Sequence, residues 1–339
     1  MALLLFATSC GTPGIPKASD DGVGGGPVWP QAPAESRIRF VRSISGPSEL
    51  GISKPIFQRM VDAIVGRGDE RFVRPTGVAE LDGVIYVADP GSPALWILDS
   101  SHNHYAKIDD VAGTRLASPV AVALRPDGAV FVADSALKKV LLLDADGKFI
   151  RIAAEQDLER PAALAFDAAS GRLYVADSAR HRIAVYGADG TLIGTWGRAG
   201  TMEGEFNFPT HLALDRDGTL LATDALNFRV QAFDRTGRFL WKFGRHGDGS
   251  GDLAAPKGVA ADSAGHVYVV DALFDGVQIF ERDGAFLLAF GERGAHAGQF
   301  WLPGGLFINA RDRIFVADAY NQRVQVFETV AAAGTEPRK

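Results

Sequence analysis

Histidines are the side chains of this chain best suited to catalysis, because neutral imidazoles can bind a catalytic zinc ion. The chain has seven, at His102, His104, His181, His211, His246, His266 and His296. A zinc enzyme typically needs about three such ligands around one point. The single cysteine, Cys10, excludes an internal disulfide and a cysteine-based zinc site. Whether any histidines converge depends on the fold.

One motif is repeated six times, and residues 302–327 are its last copy. Each copy has a proline, an apolar run, a polar turn, a β-rich run ending in Val-Ala-Asp or a variant, and a further apolar run. The prolines are Pro75, Pro119, Pro161, Pro209, Pro256 and Pro303, and the aspartates are Asp89, Asp134, Asp177, Asp224, Asp271 and Asp318. The aspartates are 45, 43, 47, 47 and 47 residues apart. A period of this size is typical of a solenoid, propeller or array.

Each complete repeat contains four short strand-like runs, which is the number of strands in a propeller blade. In the fourth repeat they are residues 210–215, 219–224, 229–233 and 238–243. The last repeat stops after its third run, residues 323–327, and the alternating segment 37–44 can supply the missing strand. We therefore predict an all-β, six-bladed propeller of four-stranded antiparallel blades, closed by pairing of the chain ends.

The segments outside the repeats have different compositions. Residues 53–66 carry an apolar stripe at helical spacing, with Pro55 in the first turn, and predict a short accessory helix before blade one. Residues 11–36 are rich in Gly, Pro, Ala and Ser and predict a flexible tether with a reach on the order of 30 Å. The propeller is predicted over residues 37–328, followed by a disordered tail at 329–339.

Residues 1–10 resemble the end of a bacterial lipoprotein signal, in which apolar and small residues precede a cysteine that is lipidated. Ala7 replaces the usual leucine, and no Lys or Arg precedes the short apolar run, so we expect the complete signal sequence to begin upstream. The resemblance implies lipidation of Cys10 and a place at the bacterial cell envelope. The alternative is a cytosolic protein whose Cys10 has no role.

The repeats themselves resemble the NHL repeat, as found in NHL and TolB-like propellers. The sixth repeat carries the pattern as PGGLFIN, RIFVAD and NQRVQVF, and the fifth as PKGVAAD, HVYVVD and DGVQIF. The resemblance covers about residues 71–328 and the closing strand. It implies a fold shared by protein-binding modules, RNA-binding domains, and amidating lyases or lactonase-like enzymes with a metal in the channel, so it does not select one function.

Residues present in every blade are expected to be architectural, and function should lie where the blades differ. The recurring aspartate is expected to accept backbone N–H groups in the following turn. Among the histidines only His211 begins an innermost strand, which makes it a lone channel-side candidate. Residues 248–252 alternate oxygen ligands like a calcium loop, but Val259 stands where such a loop has glutamate. We predict no metal and no cofactor, with calcium or zinc as the alternative.

One face of the propeller differs between blades. The residues that differ are Phe228, Phe274 and Tyr320 in turns and Trp301 in an interblade connection, with Arg229 and Arg323 beside them. Asn207 and Ala254 occupy the position of Trp301 in sister repeats, so the fold does not require an aromatic residue there. We predict that these six residues form a partner-binding surface; the alternative is that they pack locally over the turns.

The net charge of the chain argues against one class of partner. Net charge is −6 and no long basic run is present, which disfavours nucleic acid as a partner. We predict a monomeric, non-catalytic binding or scaffold module that meets a protein partner at the bacterial envelope. The alternatives are a metal-dependent lyase or lactonase-like hydrolase with its site in the channel, and a soluble ligand sensor.

Overall fold

Apolar runs of five to seven residues form most of the blades, because neighbouring blades bury both faces of each middle strand. The computed structural model describes residues 26–53 and 70–330. Before the first repeat come β1 (Val28–Trp29), β2 (Ile38–Ile44) and a 3₁₀ turn (Pro47–Leu50). Blade one contains β3 (Gly77–Leu81), β4 (Val84–Asp89), β5 (Ala94–Asp99) and β6 (His104–Ile108), followed by the hairpin β7 (Asp110–Val111) and β8 (Thr114–Arg115).

Blades two to five repeat this plan. Blade two contains β9 (Pro119–Leu124), β10 (Val130–Asp134), β11 (Lys139–Leu143) and β12 (Phe149–Ala154), and blade three contains β13 (Pro161–Asp167), β14 (Arg172–Asp177), β15 (Arg182–Tyr186) and β16 (Leu192–Trp196). Blade four contains β17 (Pro209–Leu214), β18 (Leu220–Asp224), β19 (Arg229–Phe233) and β20 (Phe239–Phe243), and blade five contains β21 (Pro256–Ala261), β22 (Val267–Asp271), β23 (Gly276–Phe280) and β24 (Phe286–Phe290). In each of these blades the four strands are antiparallel, and each strand pairs with its neighbour in the sequence.

Blade six joins the two ends of the described chain. It contains β25 (Leu306–Ile308), β26 (Arg313–Asp318) and β27 (Arg323–Thr329), and β2 pairs with β27 as its fourth strand, from Ile44 opposite Val324 to Ile38 opposite Thr329. The predicted closure and the predicted six-bladed fold are confirmed. The ring is thus shut by main-chain hydrogen bonds between segments almost 290 residues apart.

The structure also changes two predicted boundaries. Residues 26–36 were expected to end the tether, but β1 adds a fifth strand to blade six and Trp29 is fully buried there. Its ring lies 5.7 Å from that of Phe290 and 5.8 Å from that of Phe327. Thr329, expected in the tail, is still part of β27. Apolar burial of Trp29 explains why this Pro-rich segment is held against the blade.

Three predicted features cannot be compared with the structure. The accessory helix at 53–66, apart from Ser53, the lipidation site Cys10 and the tail from 331 onward lie outside the described residues. Within the described ranges, the helical segments are four 3₁₀ turns: Pro47–Leu50, Ser178–Arg180, Ala225–Asn227 and Ala319–Asn321. None of the helices in these ranges is long and apolar enough to cross a membrane.

The innermost strands approach one another closely around the central channel. A Cβ atom on Gly258 would lie 2.6 Å from Leu306 Cβ, and one on Gly77 would lie 2.8 Å from Ala121 Cα. Gly258 N also donates a hydrogen bond to Gly304 O at 3.0 Å, joining blade five to blade six. Glycine is needed here because a side chain would push neighbouring blades apart. These contacts fix the positions of the residues that line the channel.

Candidate functional site

The recurring aspartates are structural, as predicted. Asp89 accepts hydrogen bonds from the N–H groups of Gly91 and Ser92 in the following turn, at 3.0 and 3.3 Å. It also accepts from Val73 N and Arg74 N, at 2.7 and 2.8 Å, and so holds the connection that precedes its blade. That second role was not predicted, because the connection lies about 15 residues upstream. Because four N–H groups already donate to this carboxylate, we interpret it as a structural group and not as part of a functional site.

Two arginines predicted to be exposed beside the aromatic residues are instead buried. Arg323 is 9% exposed; its Nε donates to Asp318 Oδ2 at 2.8 Å, and its terminal nitrogens donate to carbonyls of the interblade connection at 2.7–2.9 Å. Arg229 makes the equivalent contacts with Asp224 and its own connection and is 6% exposed. The prediction that these arginines contribute to a partner surface is wrong, because backbone carbonyls already use their donors.

The aromatic residues of the same prediction do lie at the surface, to different degrees. Trp301 is 45% exposed and Tyr320 is 51% exposed, and their rings are 5.8 Å apart. Phe228 and Phe274 are only half-buried, and the Phe228 ring lies 4.3 Å from that of His246. The structure therefore brings one predicted pair, Trp301 and Tyr320, into a single exposed cluster, while Phe228 packs locally.

Two leucines that were not predicted enlarge this surface. Leu226 is 54% exposed and Leu273 is 65% exposed, and each stands in the turn that follows a recurring aspartate, as Tyr320 does. A comparison of this turn position across the repeats would have found them. We call the set Leu226, Phe228, Leu273, Phe274, Trp301 and Tyr320 the apolar face of blades four to six. Isolated surface leucines are ordinary, but several on one side of adjacent blades indicate an interaction surface.

The opposite side of the propeller has a different chemistry. Its hairpin turns are joined between blades by ion pairs, such as Arg235 Nε to Asp167 Oδ2 at 2.8 Å and Arg216 to Asp312 at 3.0 Å. Arg282 likewise pairs with Asp215. Because these charges neutralise one another, this side presents paired polar groups where the other presents apolar ones.

His211 lies in the channel, as predicted, but its ring makes a structural contact. Nε2 donates to the carbonyl oxygen of Leu306 at 3.2 Å, which links blade four to blade six past blade five. Burial lowers the pKa of His211 from 6.5 to about 4, and the hydrogen bond to Leu306 offsets only part of this shift. At neutral pH the imidazole is therefore neutral, with its proton on Nε2.

The other histidines do not converge on it. Among residues 26–53 and 70–330, no group of three or more His, Cys, Asp or Glu side chains is placed to hold a metal ion. In the calcium-like segment, Asp252 instead pairs with Arg245 at 2.5 Å and accepts from Gly249 N at 3.0 Å. Among the histidines of the described residues, His211 is the one that lines the channel, and its Nε2 is already bound to Leu306 O.

The channel itself is a cavity of about 810 Å³ lined by the innermost strands. Most of its lining is small and apolar, including Val78, Val122, Ala165 and Ala261. Three basic residues, Arg74, Arg160 and Lys257, lie at one mouth. Sequence reasoning missed them, although each flanks a recurring proline, because only the alignment of all six repeats places them on one ring.

Comparison with known proteins supports the fold and its repeats. The family model for the NHL repeat matches residues 158–186 and 300–327, so this six-bladed propeller contains NHL repeats. A comparison with curated proteins found no match. Among solved structures, a streptogramin B lyase is 14% identical with a TM-score of 0.58, covering 76% of this chain and 94% of the other.

Two further structures of similar fold have other roles. A nidogen/laminin complex is 19% identical with a TM-score of 0.55, covering 72% of this chain and 86% of the other. An auxiliary nutrient binding protein from Bacteroides thetaiotaomicron is 12% identical with a TM-score of 0.59, covering 76% and 69%. At these identities the likeness extends to the fold alone. The set includes an enzyme and binding proteins, so it does not decide between catalysis and binding.

Proposed function

We propose that this chain is a non-catalytic protein-binding module of the bacterial cell envelope, which meets its partner through the apolar face of blades four to six. The observation that carries the proposal is the exposed pair Trp301 and Tyr320, with Leu273 and Leu226 on the same side of the ring. Large aromatic side chains contribute much contact area at small entropic cost and are enriched among residues that dominate binding energy.

Two features of the fold support this choice of face. In every repeat the recurring aspartate accepts hydrogen bonds from the interblade connection, and in blades four and six an Arg and a Gln side chain also donate to it. The side chain of Trp301 makes no such hydrogen bond to the connection. The hydrogen bonds of Trp301 to the fold come from its backbone, through its N–H to Asp318 Oδ1 at 2.8 Å and its carbonyl oxygen from Tyr320 N at 3.3 Å, and its ring contacts the exposed ring of Tyr320. A large aromatic residue that the architecture does not need is available for a partner. The rigid blades beneath it hold the turns in place, which lowers the ordering cost of binding.

The first prediction concerns Trp301. Trp301→Ala should leave the protein folded, because sister repeats carry Asn207 and Ala254 at this position, and should weaken partner binding by about thirtyfold or more. The partner is first identified by placing a photo-crosslinking amino acid at Leu273 in the native host. Its affinity for purified wild-type and variant protein is then measured by calorimetry.

The matched control is Leu287→Ala, on the outer strand of blade five, because Leu287 is exposed to the same extent as Trp301, at 45%. This variant should bind the partner as wild type does. Equal binding by Trp301→Ala and wild type would place the interaction elsewhere. Stoichiometric zinc or calcium in the purified protein would instead favour the metal-dependent enzyme, and His211 would be the first residue to mutate.

The second prediction concerns the envelope. We propose that Cys10 is lipidated when the complete signal sequence is present, so that the propeller is tethered to a membrane by lipid alone. The support is the lipobox-like run before Cys10 and the Gly- and Pro-rich segment after it. Labelled fatty acid should be incorporated into wild type in the native host and lost in Cys10→Ala. Equal labelling of both proteins, or wild type recovered entirely in the soluble fraction, would contradict the anchor.

A further inference from the structure

Arg74, Arg160 and Lys257 occupy alternate blades around one channel mouth. Arg74 precedes Pro75 in blade one, Arg160 precedes Pro161 in blade three, and Lys257 follows Pro256 in blade five. All three side chains are exposed and line the same cavity. The equivalent positions of blades two, four and six carry uncharged residues. Three positive charges are therefore spaced around a single opening, at about every third of its circumference.

None of these three side chains forms a close ion pair with a carboxylate in the described parts of the chain. Arg160 instead lies over the ring of Phe208, 5.3 Å from its centroid. On the opposite side, by contrast, Arg216, Arg235 and Arg282 are each paired with a carboxylate of another blade. Uncompensated charge of one sign at the mouth of a low-dielectric cavity concentrates ligands of the opposite sign.

The carboxylate that acts on Lys257 already accepts hydrogen bonds from the backbone. Asp271 interacts with Lys257 through space, but its oxygens accept hydrogen bonds from Ala254 N and Ala255 N, at 2.7 and 3.0 Å. Although the Lys257 side chain reaches solvent, desolvation by the surrounding channel wall lowers its pKa; the carboxylate of Asp271 offsets part of this shift, and the positive charge of Arg160 adds a smaller lowering. An ammonium group in this position gains stability from any anion that enters the mouth.

A buried hydroxyl at the same mouth also lacks a partner. Thr210 Oγ1, in blade four between the blades of Arg160 and Lys257, is buried and has no hydrogen-bond partner within the described residues. The threonine at the same position of blade one is used, since Thr76 Oγ1 donates to Val120 O at 3.0 Å. Buried polar groups are normally satisfied, so an unpartnered one that lines a cavity indicates a ligand.

From these observations we propose that the channel binds a small organic anion. Its acidic oxygens are held at the mouth by Arg74, Arg160, Lys257 and Thr210, and its apolar part lies among the small side chains of the channel. Charge-assisted hydrogen bonds fix the head of the ligand, and the cavity of about 810 Å³ has the size of known small-molecule sites. Tyr320 of the apolar face also borders this cavity, whereas Trp301 does not, so the channel ligand is tested at Arg160, Lys257 and Thr210 and the protein partner at Trp301.

The shared chemistry is an acidic head on an apolar tail, which a carboxylate or a phosphate monoester can supply. Calorimetric titration with octanoate, octyl phosphate, octanol and octyltrimethylammonium separates head charge from tail. Octanoate or octyl phosphate should bind, whichever head fits the three cations better. Octanol should bind at least about tenfold more weakly, because it lacks the charged contacts, and the cationic probe should not bind.

Variants then locate the site. Arg160→Gln and Lys257→Gln should each weaken the preferred anion about tenfold and leave octanol binding unchanged. Thr210→Val, which keeps the shape but removes the hydroxyl, should weaken it less, and Thr210→Ser should restore it. Lys148→Gln is the charge control, since Lys148 is an exposed cation in the outer hairpin of blade two. All variants are checked by melting temperature.

Three outcomes would overturn the proposal. One is equal affinity for octanol and both anions, which would mean that the cavity binds the apolar tail and does not recognise the acidic head group. Another is an equal loss of affinity in Lys148→Gln and Lys257→Gln, which would mean that overall charge alone attracts the probe. The third is the absence of binding by either anion to a protein whose melting temperature is normal. None of these results bears on the proposed partner surface, whose test uses Trp301.

Discussion

At the scale of single residues, repetition separates structural side chains from candidates for function. Arg323 and Gln325 look like surface groups in the sequence, but both donate to the carbonyl of Gln299 and to Asp318. They stand in the repeated Asn-x-Arg-Val-Gln pattern, and the connection that they hold folds back on the blade. Trp301, Arg160 and Lys257 interrupt the pattern, and these are the side chains with unused binding capacity.

The same scale gives a pH prediction for His211. Its folded pKa of about 4 lies below its ordinary value of 6.5, so the unfolded chain takes up a proton that the folded protein resists. The resulting contribution to stability is fully present above pH 6.5 and is lost as pH falls toward 4. The loss amounts to at most about 3 kcal/mol.

His211→Gln tests this directly, because the glutamine amide can still donate to Leu306 O but cannot be protonated. Near pH 7.5 the two proteins should have similar free energies of unfolding. Toward pH 4.5 wild type should lose more stability than the variant, as measured by urea unfolding across the range. Parallel stability curves at all pH values would show that His211 does not resist protonation in the folded state.

At the scale of elements, the sequence predicted most strands correctly and missed the contacts between distant segments. The Val-Ala-Asp runs and Asp-Gly turns are local signals, so β14, β18 and β26 could be predicted from them. β1 could not, because it has only two residues in a Gly- and Pro-rich stretch and is held by partners almost 300 residues away. The cationic mouth was missed for a related reason, since its three members come from three different blades.

Inner-strand packing gives the element-scale prediction. Gly258→Ala should destabilise the protein by about 1–3 kcal/mol, because the added Cβ would meet Leu306 N at 2.7 Å and Gly304 O at 2.8 Å. Gly194→Ala is the matched control on the outer strand of blade three, where a Cβ has no neighbour within 4 Å. It should be neutral or stabilise slightly, because alanine reduces the entropy of the unfolded chain. Equal chemical denaturation midpoints for the two variants would refute the tight contact between blades five and six.

At the scale of the whole molecule, the two sides of the ring are stabilised by different kinds of contact. On one side, ion pairs and hydrogen bonds join neighbouring blades, as between Asn309 Nδ2 and Glu80 Oε2 at 2.6 Å. On the other side, the repeated aspartates hold each interblade connection through buried hydrogen bonds to its N–H groups. The exposed side chains of the turns on this side are therefore not needed for the fold and can differ between blades. That division explains why the apolar face and the cationic mouth both occur on the second side.

The last prediction concerns the closure of the ring by its two chain ends. Trp29→Ala should lower the melting temperature on the order of 5–10 °C, because a fully buried aromatic ring that packs on Phe290 and Phe327 is worth about 3–5 kcal/mol. Trp301→Ala removes the same type of side chain where it is 45% exposed and should change the melting temperature little.

Deleting residues 26–44 should lower the melting temperature more than Trp29→Ala does, since β27 then loses its partner strand. Deleting residues 11–25 should leave the melting temperature unchanged. Calorimetry of the four variants checks this order. An unchanged melting temperature after removal of β1 and β2 would mean that blade six is complete without them and that the pairing of chain ends does not stabilise the ring.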